Sequence, residues 1–150
     1  MQPASPQLRT APSREGSCLT APPTVLPTEL TVEWNTVCHE QCNVLVEARP
    51  AVVEQLLRAL RPHLRYPIRE YCPKDGISVM QPAEGSLLLL EVASLLPSQQ
   101  EQLLRWLDAC TGRFTVQLAS TSSVPLFPFV EAGAFDASLY YRLNTVRMAV

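Results

Sequence analysis

The sequence predicts an α/β domain, a three-layer sandwich in which helices cover both faces of a mainly parallel five-stranded sheet. Three observations lead there. Residues Gly85-Ser86-Leu87-Leu88-Leu89-Leu90 form an apolar run, far short of the ~20 residues of a membrane span and typical of a strand buried on both faces. An acid, Glu91, follows where that strand should end, and Ser98 with Glu101 has the spacing of a capping box that opens a helix. Strand and helix patterns then alternate along a chain of 150 residues, the rhythm of parallel strands joined by crossovers.

Taken in order, residues 1–29 hold Pro3, Pro6, Pro12, Pro22, Pro23 and Pro27 among Ser, Thr, Ala and Gln. With few large apolar side chains to offset ordering entropy, they are expected to be a disordered tail ahead of a folded unit at 30–150. Leu30–Thr36 alternates apolar and polar residues, which predicts a short edge strand. Asn43-Val44-Leu45-Val46-Glu47 reads as a buried strand. Pro50 suits a first helical position, Val52, Val53, Leu56, Leu57 and Leu60 follow at helical spacing, and Pro62 stops the helix. Arg58, Arg61 and Arg65 give that helix and its exit a solvated basic side.

Tyr66–Cys72 predicts a second strand, which Pro67 restricts to an edge or a strand start. Pro73-Lys74-Asp75-Gly76 is turn chemistry, and Ile77–Met80 a short extended piece. The helix from Ser98 to about residue 109 turns Leu103, Leu104, Leu107 and Cys110 inward, and Gly112 suits its C-terminal turn. Phe114–Thr121 is the next strand and residues 122–128 a loop. A short helix around Asp136–Leu143 precedes a last strand, Thr145–Ala149.

Composition removes several function classes. A net charge of −2 argues against direct DNA binding and against an anionic membrane surface. The N-terminus lacks an apolar segment behind a basic start, so no secretory signal is expected. Five cysteines (Cys18, Cys38, Cys42, Cys72 and Cys110), an odd number at irregular spacings, fit reduced thiols and a cytoplasmic location. Cys38-His39-Glu40-Gln41-Cys42 offers at most three neighbouring ligands and lacks the second pair of a zinc site, so no metal is expected. With only His39 and His63 available, a hydrolase triad is not supported. Phe127, Phe129, Phe135, Tyr140 and Tyr141 cluster late in the chain. Most belong in a core, and an exposed subset would form a docking patch.

Three stretches resemble one family, the AAA+ domain of bacterial sigma-54-dependent transcription activators. Gly85–Leu107 is similar to that family's Walker B strand and following helix, with Gln100, Leu103, Leu104, Arg105 and Leu107 in the places of its Gln and Leu-Leu-Arg-x-Leu residues. Glu131–Asn144 resembles its Gly-x-Phe-Arg-x-Asp-Leu-Tyr-Tyr-Arg-Leu-Asn element, and the string Leu139-Tyr140-Tyr141-Arg142-Leu143-Asn144 is specific. Asn43–Leu60 falls on the strand–P-loop–helix unit. The resemblance covers roughly residues 40–150 and implies an AAA+-like, P-loop NTPase-like sheet without the helical lid or helix-turn-helix domains.

It also implies functional positions, and the chemistry at most of them has changed. A P-loop needs glycines that let backbone N–H groups approach phosphate, and then a lysine. Asn43–Arg58 contains neither, and Lys74 is the sole lysine of the chain. Glu47 stands in the loop and would repel phosphate. Leu90 occupies the position of the metal-binding aspartate and cannot ligate a hard cation. Glu91 matches the catalytic glutamate, and Ser122 stands near the polar sensor. Of the two boundary arginines the first is Asp136, a charge reversal, and the second is Arg142. The sigma-contacting loop has no room between Pro73 and Gly85.

The expectation is therefore a module without catalytic residues, cofactor or metal. It would regulate transcription by binding protein, an intact activator or a second copy, through Asp136, Tyr140, Tyr141 and Arg142. The alternative is a divergent protein with weak ATP affinity through Glu91, Ser122 and Arg142. A third reading, a decayed fragment that folds without a partner, stays open.

Overall fold

In the computed structural model, which describes residues 21–75, 84–110 and 116–150, five parallel strands form one sheet. The elements are α1 (Thr31–Glu40), β1 (Val44–Glu47), α2 (Pro50–Leu60), β2 (Ile68–Tyr71), β3 (Gly85–Leu89), α3 (Pro97–Cys110), β4 (Val116–Ser122), α4 (Phe127–Glu131), α5 (Ala137–Leu143) and β5 (Val146–Ala149). The strand order is β2-β3-β4-β1-β5. In register, Leu45 lies beside Ser120 on one side and Arg147 on the other, and Leu87 lies beside Leu118.

The two faces of the sheet are sorted by strand parity. Val44, Val46, Leu88, Ala119 and Met148 pack with Trp34, Val37, Leu56 and Leu60 of α1 and α2. Leu45, Leu87, Leu89 and Leu118 pack with Leu103, Leu107, Leu126, Leu139 and Leu143 of the α3–α5 layer. Every residue of β1 and β3 is buried, which is why those segments read as apolar runs rather than alternations. Each fully buried leucine contributes about 1.5–3 kcal/mol, so these central strands fix the fold.

Several expectations change in detail. Residues 30–36 are not an edge strand: a 3₁₀ turn at Thr28–Leu30 runs into the helix α1. Val32, which the alternation placed inward, is exposed, whereas Leu30, Trp34, Val37 and Cys38 face the core, a helical spacing. The folded body reaches back at least to Leu26, which is buried against the α1–α2 cluster, upstream of the expected boundary at residue 30. Helix α3 begins at Pro97 rather than at a Ser98 cap. Leu96 accepts the first intrahelical bond, from Gln100 (2.9 Å), and its own N–H donates to Gln99 Oε1 (2.8 Å), so Gln99 rather than Glu101 closes the capping box. Part of the expected loop 122–128 is helical, because α4 starts at Phe127 with Pro128 in its first turn. The extended piece expected at 77–80, the turn residue Gly112 and the tail at 1–20 lie outside the described residues.

Candidate functional site

All strands run parallel, so their carboxyl ends share one edge of the sheet. The connection from β1 runs to β2 on one side of the sheet, whereas the connection from β4 passes β1 to reach β5 on the other, and ligands in open α/β sheets bind where the direction of winding switches. Glu47 ends β1, Ser122 ends β4, and Glu91 lies just past β3. A cleft of about 320 Å³ opens there, lined by Glu47, Ala48, Arg49, Ser123, Val124 and Arg147 among others.

The loop between β1 and α2 is only Ala48 and Arg49, against about eight residues in a P-loop. Ala48 N–H donates to Ser122 C=O (3.1 Å), and the N–H groups of Val52 and Val53 both donate to Arg49 C=O (2.9 Å each). Pro50 has no N–H. Of the main-chain donors around this loop, those of Ala48, Val52 and Val53 are thus engaged within the fold.

A carboxylate fills the position instead. The Glu47 side chain is 3 % exposed. Its Oε2 accepts from Arg147 Nε (2.7 Å) and faces Arg147 Nη2 (2.6 Å), and its Oε1 accepts from Leu126 N–H (2.9 Å). Burial of a charge demands such partners. Arg147 was missed in the sequence because it stands 100 positions away, and only the β1–β5 register places it beside Glu47.

Glu91 is where the sequence put it, at the end of the central strand, and its carboxylate is spent locally. Both oxygens accept from Ser123 N–H (3.1 and 3.2 Å), and Oε1 accepts from Ser123 Oγ (2.9 Å). Ser122 is fully buried, its hydroxyl donating to Val124 C=O and accepting from Val124 N–H. It closes the turn after β4 and does not face the cleft. Leu90 donates its N–H to Tyr71 C=O (2.9 Å) and packs against the α1–α2 cluster, so its side chain offers no oxygen to a cation.

Arg142 does not join Glu91 and Ser122. It lines a separate cleft of about 270 Å³ with Asn43, Val116 and Thr145, residues at the amino ends of β1, β4 and β5, which is the opposite edge of the sheet. It pairs there with Asp108 of α3, and its C=O accepts from Asn43 Nδ2 (3.0 Å). Asp136 caps α5: its Oδ1 accepts from Leu139 N–H (2.8 Å). Tyr140, expected to meet a partner, is buried and belongs to the core. Its ring packs between Phe127 (centroids 6.0 Å apart) and Tyr141 (5.3 Å). Tyr141 is 66 % exposed, Phe127 43 % and Phe129 40 %, so these three of the late aromatic residues reach the surface.

Gln100 is a structural residue the sequence did not single out for function. It is buried and donates through Nε2 to Leu95 C=O (3.0 Å) and Ala134 C=O (3.2 Å), while Oε1 accepts from Asp136 N–H (2.8 Å). It ties α3 to the segment that launches α5. Arg58 and Arg61 pair with Glu54 and Glu70, and Arg65 Nε donates to Gln41 (2.7 Å), as a solvated face would. Among the described residues no group of three or more His, Cys, Asp or Glu side chains is placed to hold a metal ion. No helix among them is long and apolar enough to cross a membrane.

The strand order and the crevice beside β1 define the class, a P-loop NTPase-like α/β domain. Residues 52–150 match the family model of the sigma-54 interaction domain, and the chain belongs to that family. Among solved structures it is similar to NtrX from Brucella abortus in complex with ATP, at TM-score 0.61 and 19 % identity, over 81 % of this chain and 34 % of that one. The P-loop NTPase domain of the sigma-54 transport activator from E. coli matches at TM-score 0.54 and 13 % identity, over 82 % of this chain and 95 % of that one. The chain thus spans about a third of the NtrX chain. A search of curated protein sequences returns no match.

Proposed function

We propose that this domain is a non-catalytic relative of the sigma-54 activator core, a regulatory module in transcription control that acts by binding protein. One observation carries the reading: the buried Glu47 carboxylate, held by Arg147 and the Leu126 N–H, stands where phosphate would have to approach. Phosphoryl transfer rests on positioning and charge stabilisation. A two-residue loop, a buried acid and a leucine at the metal position supply neither. The residues this chain shares with its family support the same reading. Gln100 ties α3 to the segment that launches α5, Tyr140 fills the core of that layer, and the exposed Tyr141 offers contact area beside Arg142.

A partner that contacts Tyr141, Phe127 and Arg142 changes an assembly equilibrium simply by binding one state better than another, so no ATPase is required. An intact AAA+ activator or a second copy of this chain fits that role. Titration calorimetry with ATP and Mg²⁺, alongside a phosphate-release assay, tests the first half; no heat of binding and no release are expected. Size-exclusion of the chain mixed with an intact sigma-54 activator tests the second, with a co-eluting complex expected. Measurable ATP turnover, or no association with any such activator or with itself, would overturn the reading. Arg142 lies on the opposite edge of the sheet from Glu91 and Ser122, so the weak-nucleotide alternative needs Arg142 to act in the site of a neighbouring copy.

A further inference from the structure

The groups that hold Glu47 are the groups that bind oxyanions elsewhere. Arg147 presents Nε and Nη2 to Oε2, and the Leu126 main-chain N–H meets Oε1. A guanidinium and a backbone amide are donor types that bind phosphate and sulfate. The carboxylate it holds is nearly fully buried, whereas the Arg147 side chain is 44 % exposed and reaches the cleft. Arg49 lines the same cleft and has no ion pair or side-chain hydrogen bond among the described residues.

We propose that this cleft is a small-oxyanion site occupied by the chain's own carboxylate, and that Glu47 is the residue that excludes inorganic phosphate and pyrophosphate from it. The inference deepens the non-catalytic reading and rests on it: beside a loop too short for a phosphate cradle, an anion already seated excludes a second. Removing the carboxylate leaves the Arg147 guanidinium and the Leu126 N–H without their acceptor, beside Arg49, in a cleft large enough for a phosphate. Such an uncompensated site should recruit an anion from solution.

The test uses the full chain and the variants Glu47→Ala and Glu47→Ser, the second keeping a small polar side chain in case the first does not fold. Thermal midpoints and calorimetry are recorded against inorganic pyrophosphate, with sodium chloride matched for ionic strength. The wild-type midpoint should not move. Glu47→Ala and Glu47→Ser should start lower and rise by about 5 °C at saturating pyrophosphate, and acetate should restore part of the loss in Glu47→Ala. Adding Arg147→Gln to Glu47→Ser should abolish the response. No rise beyond the chloride control in either variant, a rise that survives Arg147→Gln, or equal pyrophosphate binding by the wild type would overturn the proposal. ATP turnover by the wild type would instead overturn the non-catalytic reading, so the two failures are distinguishable.

Discussion

At Glu91 the backbone sits at φ 51° and ψ 58°, a left-handed conformation that costs a residue with a β-carbon about 1–2 kcal/mol. The Glu91 N–H to Thr121 Oγ1 bond (3.1 Å) and the carboxylate contacts to Ser123 hold it there. Gly85 shows the same economy in reverse: at φ 101° a β-carbon would lie 2.2 Å from Pro67 O. Gly85→Ala should therefore lower stability by roughly 2–4 kcal/mol, read from urea unfolding, and an unchanged midpoint would contradict the close approach of β3 to Pro67. Burial pushes the Cys38 thiol up from about 9 to about 11, and Cys42 shifts in the same direction from the same cause. Above pH 9 the unfolded thiol ionises while the folded one stays protonated, so stability should fall as pH rises from about 9 to about 11. Urea midpoints of wild type and Cys38→Ala across that range should converge at the alkaline end if Cys38 is responsible.

Among the elements, α5 shows how a short segment is made to hold. Its seven residues, Ala137–Leu143, are too few to be stable alone. Burial of Leu139, Tyr140 and Leu143 supplies the packing, and Asp136 supplies the cap by accepting from Leu139 N–H. Asp136→Ala should cost about 1 kcal/mol while Asp136→Asn costs little, compared by denaturant melts. Equal losses in the two variants would mean that charge rather than capping matters there. Gln100 anchors the other side of the same joint, and its three bonds explain why a buried amide is kept in a leucine-rich helix. Helix α4 completes the layer with Leu126 underneath and Phe127 and Phe129 at the surface.

For the whole molecule, the two helical layers divide the work. The α1–α2 layer covers one face and leaves Val32 of α1 at the surface, whereas the α3–α5 layer covers the other and exposes the aromatic side chains Phe127, Phe129 and Tyr141. Exposed aromatic side chains beside an arginine are the residue types that carry binding energy at interfaces. Tyr141→Ala should leave the unfolding midpoint within about 0.5 kcal/mol of wild type, yet weaken association with an activator or with a second copy by about tenfold. Binding measured by surface plasmon resonance with intact stability would locate the interface on α5, and unchanged affinity would remove Tyr141 from it.

The central strands were legible because burial on both faces leaves a contiguous apolar signature, as in Leu87–Leu89 and Val44–Val46. Turn and helix signals such as Pro50, Pro62 and Asp136 act over a few residues and were equally readable. Residues 30–36 misled because Trp34 chooses helix or strand by what it packs on, and that surface comes from α2 and β5. The Glu47–Arg147 pair was invisible for the same reason on a larger scale, since its partners are 100 positions apart. The sequence by itself determined the five strands of the sheet, most of the helices and the lack of any glycine or lysine between Asn43 and Arg58. Only the folded sheet decided that Arg142 lies on the far edge from Glu91, that Tyr140 is core, and that a buried carboxylate occupies the crevice, because each depends on strand order rather than on local spacing.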